Sequence, residues 1–463
     1  MSVLGRDLHI SDRIRRERVL VLAIAALAFA GLVVTVSFVA IVDGSFDIAL
    51  LILIALGAVV LLPISPSLSF TYSCVAFPAI ITLNRHTGPW GPGRLTFYFL
   101  LLLYISVAIV SWFRSPPRQT TLRAAGWLTI LFVLYLLVVS LLAPDRDTAL
   151  EACVNHSYHW PFLVLPTLLL RRTSHVRLIY LYLAGLGTVL AAASIFVTFM
   201  VVDPSAILSH AGRFQRVHLY FGTANTLGLF LALSLFALLY GVRFESRFMK
   251  WVKIGAEVLI LIAILITFSR RTWLATGLLL FFHFLWRRDW RGVVVVALVA
   301  AALGYQMRGQ IGERAESMVE MEHSSNIGRQ REITERLDYL FGDGLSATGW
   351  GMDMSVAASE ADLSRALYFH NYYLTLYYLS GAIGLGLFLL IMGAVIRGLR
   401  RVQLLARGPT PRQAAAVGLS ALIIVMLTGL FGNANITFPV NYFSSLLPGL
   451  AFAALALERQ EDA

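Results

Sequence analysis

Charged side chains are scarce in this sequence, and acidic ones scarcer than basic ones. Asp, Glu, Lys and Arg make up 14% of its 463 residues, where a soluble domain carries about 25%. With 58% hydrophobic residues and a mean hydropathy of +0.76, the chain holds more apolar surface than one water-solvated core can hide. Cysteine is nearly absent. Cys74 is expected near the inner end of a membrane span and Cys153 in an outer loop, so no disulfide joins them and a disulfide scaffold is excluded. A cleavable signal peptide is not expected either, because the first apolar run is long and no small-residue cleavage site leads into a soluble body. Internal repeats and low-complexity tracts are missing.

What the sequence has in abundance is apolar runs near the ~20 residues that a bilayer core requires. Expected spans cover 19–42, 47–62, 68–83, 95–113, 123–143, 158–171, 177–202, 222–242, 250–268, 272–286, 291–305, 371–396, 414–432 and 439–457. The fold class is therefore an all-α polytopic membrane protein of about 14 spans, or about 12 if two short early ones are re-entrant. The net charge of +11 does not indicate nucleic acid, because the basic residues form short clusters between apolar runs rather than one stripe. Alternate connections carry them: Arg13 to Arg18, Arg114 to Arg123, Arg171 to Arg177, Arg243 to Lys253, Arg287 to Arg291, and Arg397 to Arg412. Cytoplasmic loops retain Arg and Lys, so both termini are expected in the cytoplasm and the other connections outside.

One outer connection, 306–370, is far longer than an ordinary linker. Ile327, Ile333, Leu337 and Leu340 recur at helical spacing, with Arg329 and Arg336 beside them, and Gly342, Gly344, Gly349 and Gly351 follow. This pattern reads as an amphipathic helix and a glycine-rich turn region on a membrane surface, in contact with lipid.

Four outer features carry residues suited to chemistry. Gly212-Arg213-Phe214-Gln215-Arg216 leads through Gly222 and Asn225 into a span, and guanidinium forks match phosphate oxygens, although arginines there also suit lipid headgroups. Thr267-Phe268-Ser269-Arg270-Arg271-Thr272-Trp273 is wedged between apolar runs. Adjacent arginines at that depth call for an anion, with snorkelling as the plainer account. In Phe369-His370-Asn371 the histidine can take a proton from a hydroxyl at neutral pH, whereas a lone interfacial histidine is more commonly structural. His86, His156, His159, His210, His218 and His323 compete with it, and the His156/His159 spacing lacks a clear third metal ligand. Asp145-Arg146-Asp147 could bind a divalent ion on a sugar diphosphate, but acids in a short polar loop are common.

Together these features resemble the O-antigen ligase and polymerase superfamily. His370-Asn371, nine residues, then Gly381-Ala382-Ile383-Gly384 is similar to its His-Asn-x9-Gly-x-x-Gly signature. Thr267–Ala275 resembles the family's Ser-Arg-x-x-Trp-Leu stretch, Arg213–Gly228 its Arg…Asn-x-x-Gly approach to a helix, and Tyr339–Gly349 the Gly-x-Gly turn before the histidine. The order matches over roughly 205–400, with 306–370 as periplasmic loop, 1–204 as N-terminal and 401–463 as C-terminal membrane helices. Arg271 stands where the family often has a small residue, so either arginine of that pair, like either of Arg213 and Arg216, can hold the phosphate.

The resemblance implies a GT-C-like fold in the bacterial inner membrane and a periplasmic active site. It implies transfer of a glycan from undecaprenyl diphosphate to a hydroxyl of lipid A-core (ligase) or of a second lipid-linked glycan (polymerase). His370 would be the base, with Arg270, Arg216, Arg213, Arg271, Asn371 and Arg336 binding substrate, inversion at the anomeric carbon, and no metal or cofactor. A transporter or flippase for an anionic lipid-linked substrate is the competing class, and a metal-dependent transferase at Asp145/Asp147 a third.

Overall fold

Runs of Leu, Ile, Val and Ala with polar residues held to their ends form helices almost throughout. The computed structural model describes residues 46–83, 92–114, 120–198, 223–267, 269–286, 346–349, 371–430 and 440–461. Among them every regular element is helical and none is a strand. The expected spans 19–42 and 291–305, and most of 306–370, lie outside the described residues. The helices are α1 (Phe46–Ile64), α2 (Pro66–Leu83), α3 (Pro92–Arg114), α4 (Thr120–Leu141), α5 (Arg146–Ser157), α6 (Leu165–Leu169) and α7 (Thr173–Phe196). They continue with α8 (Ala224–Phe236), α9 (Arg247–Ile266), α10 (Arg270–Trp286), α11 (Tyr372–Leu405), α12 (Pro409–Gly429) and α13 (Val440–Glu461).

Six stretches among the described residues are long and apolar enough to cross a membrane: Leu122–Leu141, Thr173–Phe196, Ala224–Gly241, α11, α12 and α13. The surface of α4 agrees with this. On α4, Trp127, Ile130, Leu131, Leu134 and Val138 are exposed while Ala125, Phe132, Leu136 and Val139 are buried, so the helix is apolar on every side. In water such a band would aggregate; lipid solvates it.

The chain divides into two compact units, residues 1–116 with 168–179 and residues 117–167 with 180–463. In the first, α1 and α2 form a hairpin through Ser65, with Pro66 opening α2 where its missing N–H costs nothing. Polar side chains tie this unit internally. Ser69 Oγ donates to Ala58 O at 2.6 Å, and the Ser69 and Ser73 hydroxyls lie 2.8 and 2.6 Å from Tyr104 OH.

In the second unit α13 is almost wholly buried, and α12 packs on it at Gly418, where a Cβ would stand 3.1 Å from Pro448 Cα. Without a hydrophobic drive between helices in lipid, such close approach is what holds them. Two expected spans differ from what is observed. The 158–171 run is no continuous span: Pro161 and Pro166 interrupt it, leaving a 3-10 turn at Trp160–Leu163 and the short α6. The 371–396 run is no straight one either, because α11 breaks at Gly381, where φ is +66°. A straight helix would separate Tyr372 from Phe388 by about 24 Å. Their ring centroids are 5.5 Å apart, so the chain turns back on itself at the break.

Candidate functional site

Two clusters in the second unit gather residues singled out in the sequence. The first surrounds Gly228 on α8. Thr223 caps this helix, its Oγ1 accepting from Thr226 N at 3.1 Å. A Cβ at Gly228 would stand 3.0 Å from both Thr267 Oγ1 and Thr272 Oγ1, so a larger residue would force α8 or the α9–α10 corner to give by a few tenths of an ångström. That corner is tied by Ser269 Oγ with Thr272 Oγ1 (2.7 Å) and by Trp273 Nε1 donating to Ile264 O (2.9 Å). The stretches ending at Gly228 and beginning at Thr267, about forty residues apart in the sequence, are thus one structural feature here.

At this corner Arg271 is half-buried, and its Nε is buried with no hydrogen-bond partner among the described residues. Two arginines at the first turn of α10 also oppose the helix dipole, which favours anions there. An oxyanion would relieve both costs.

The second cluster is the break in α11. Asn371 caps its first turn: Oδ1 accepts from Tyr373 N at 2.9 Å and Leu374 N at 3.2 Å. The leg 372–380 ends at Gly381, and the amides beyond the break find carbonyls in a distant segment. Ala382 N donates to Ser346 O at 2.9 Å and Ile383 N to Ala347 O at 3.2 Å. Gly349, with φ +63°, presses on the same break, and a Cβ there would stand 2.5 Å from both Gly381 N and Tyr378 O. Both glycines occupy a left-handed region that other residues rarely adopt. The glycine-rich turn and the spaced signature therefore interlock backbone to backbone.

Both clusters lie at the same end of the unit. Phe230, two residues after Gly228 in α8, meets Phe443 near the start of α13 with centroids 5.6 Å apart, and Tyr373 OH donates to Met426 O near the end of α12 at 2.9 Å. At the opposite end sit two of the basic connections, 243–253 and 397–412. Lys253 Nζ donates to Leu239 O and Val242 O (3.2 and 2.9 Å), Arg412 Nε to Ala406 O (2.9 Å), and Arg407 N to Glu458 Oε2 (3.2 Å). No protein-family model matches this chain, and no curated protein is similar to it.

Of the residues expected to act, the structure describes Arg271 and Asn371 and the backbone of Arg270; His370, Arg213, Arg216 and Arg336 lie outside the described residues. Asn371 serves as a helix cap and holds the position directly after residue 370. Asp145 is likewise a cap, its carboxylate accepting from Thr148 N (3.3 Å) and Thr148 Oγ1 (2.6 Å) at the start of α5, and Asp147 is exposed. Cys74 and Cys153 are both buried, and neither is in a disulfide.

His156 and His159 pack inward, in the segment between spans. His156 Nδ1 lies 2.8 Å from Ala152 O, and its ring stacks on Tyr372 with centroids 6.1 Å apart. His159 Nδ1 lies 2.8 Å from Ser445 Oγ. Burial lowers both imidazole pKa values, His159 to about 3 with His156 adding to the effect, so both rings are neutral, His156 packing on the first turn of α11 and His159 on α13. Sequence reasoning missed Tyr135. Its hydroxyl, on α4, lies 2.7 Å from Ser380 O and 3.3 Å from Ala347 O, touching both sides of the break.

Proposed function

We propose that this chain is a membrane glycosyltransferase that moves a glycan from undecaprenyl diphosphate to an acceptor hydroxyl on the periplasmic face of the bacterial inner membrane. It acts as an O-antigen ligase on lipid A-core, or as a closely related polymerase on a second carrier-linked glycan. The observation that carries this reading is the pairing of four separated sequence stretches into two clusters at one end of a helical unit, with two of the basic connections at the other. Under this reading both termini are cytoplasmic and the clusters face the periplasm.

The acceptor oxygen attacks the anomeric carbon, and His370 takes the hydroxyl proton. The bond from that carbon to the diphosphate oxygen breaks on the opposite face, with inversion, and undecaprenyl diphosphate leaves. Arginines supply the charge that a leaving diphosphate needs, with no metal. Arg213, Arg216, Arg270 and Arg336 remain candidates for that role. Arg271 has the added support of its buried Nε at a helix start, without a hydrogen-bond partner among the described residues.

The test is transfer by purified protein, given carrier-linked glycan and each acceptor in turn. Acceptor-dependent release of undecaprenyl diphosphate with a new glycan on the acceptor supports the reading. Movement of the carrier-linked glycan across vesicle bilayers with no such release would make the protein a flippase instead.

A further inference from the structure

A helix as short as the leg 372–380 has no stability of its own, so its direction is set by what holds its ends. Its start is held by the Asn371 cap and by Tyr373 on Met426 O. Its end is held at the break, where a segment of the long connection supplies the carbonyls that the helix no longer provides. That segment is itself fastened. Ser346 N donates to Tyr377 OH at 2.9 Å, and Gly349 N to Ser346 Oγ at 2.9 Å. One side chain from another helix bridges the two pieces. Tyr135 OH donates to Ser380 O at 2.7 Å, on the leg, and faces Ala347 O at 3.3 Å, on the turn.

We propose that Tyr135 is a positioning residue, clamping the 346–349 turn onto the break in α11 and so setting the direction of the leg that begins at Asn371. The inference rests on the transferase reading. Asn371 lies about 15 Å along the helix from Gly381, so a tilt of about 5° at the break moves it by about 1 Å. Misplacement on that scale can cost about 10²-fold where a base must meet a hydroxyl. Loss of one hydroxyl from a clamp of several bonds is a milder change, about tenfold in effect.

Tyr135→Phe removes only the oxygen, which keeps the ring's packing. Two measurements on the full chain test it. Hydrogen exchange at the amides of 382 and 383 should quicken about fivefold, since those amides donate into the clamped turn. In the transfer assay kcat per donor-binding site should fall about tenfold with both KM values unchanged, because a base acts only in the transition state. Titrating the donor-binding sites counts only folded protein, so general destabilisation would leave this kcat unmoved. Unchanged exchange overturns the clamp. Faster exchange with kcat per site unaltered overturns the positioning role. A wild-type protein that transfers nothing to any acceptor, while the variant still exchanges faster, sinks the transferase reading and the positioning role with it, leaving only a structural contact.

Discussion

An acceptor sugar hydroxyl is a weak nucleophile at neutral pH, so the base proposed at His370 is worth about 10²–10⁴-fold. His370→Ala should abolish transfer yet leave membrane insertion and donor binding intact. His370→Gln should not rescue it, because an amide can orient a hydroxyl but cannot take its proton. The wild-type rate should fall as pH drops through the histidine's pKa, about 6.5 unperturbed, since protonation removes the base. Near-normal transfer by His370→Ala would remove the residue from the mechanism. Arg271 allows a sharper separation of function from fold. Its buried Nε, unpartnered among the described residues, carries a desolvation cost that an apolar side chain would not. Arg271→Met should therefore weaken donor binding about tenfold or more with no fall in melting temperature, and Arg271→Lys should restore binding only in part. A lower melting temperature with unaltered binding would make the residue structural. The arginine pair was legible in the sequence because two adjacent charges between apolar runs are costly wherever they sit. Tyr135 was not, since a tyrosine within an apolar run looks like any other span residue and its partner Ser380 is 245 positions away.

At the scale of elements, the break in α11 is the feature that hydropathy hides. An apolar run of spanning length reads the same whether its helix is straight or folded back, and a positive φ leaves no mark beyond the glycine itself. The sequence signature did mark Gly381, as part of a family pattern, without indicating what the glycine does. The structure supplies the reason: φ of +66° and a site where a Cβ would collide with the Ala347 carbonyl. Gly381→Ala should lower stability by about 2 kcal/mol or more, from left-handed strain plus displacement of the turn. Gly386→Ala, five residues on in the same helix with nothing near its Cβ position, should have little effect. Equal melting temperatures in detergent for the two variants would mean that the break is not under constraint. Pro161 and Pro166 teach a similar lesson for the 158–171 run, where hydropathy outweighed two residues that cannot continue a helix.

For the whole molecule, the alternation of basic connections is an expectation of sidedness, and two of those connections, 243–253 and 397–412, lie at the end of the second unit away from the two clusters. Sidedness gives the corresponding test. An impermeant thiol reagent should label cysteines introduced in 306–370 from the periplasm and should not label those in 401–412; the reverse pattern would remove the chemistry proposed for His370. Transfer should also survive chelation and the Asp145→Asn, Asp147→Asn double change, since Asp145 already serves as a cap. A loss beyond about 10²-fold, or ~2.7 kcal/mol of barrier, would move the site to those acids. The interlocked glycines bear, finally, on how the chain is made. In hydrocarbon an unsatisfied amide costs several kcal/mol, so the N–H groups of Ala382 and Ile383 need acceptors as soon as they enter the bilayer. Synthesis runs from the N-terminus, so Tyr135 emerges first, the carbonyls of Ser346 and Ala347 next, and the amides that need them last. Each partner is already waiting when its counterpart leaves the ribosome, and a chain cut between 349 and 371 would hand the membrane a second half with no acceptors for its broken helix.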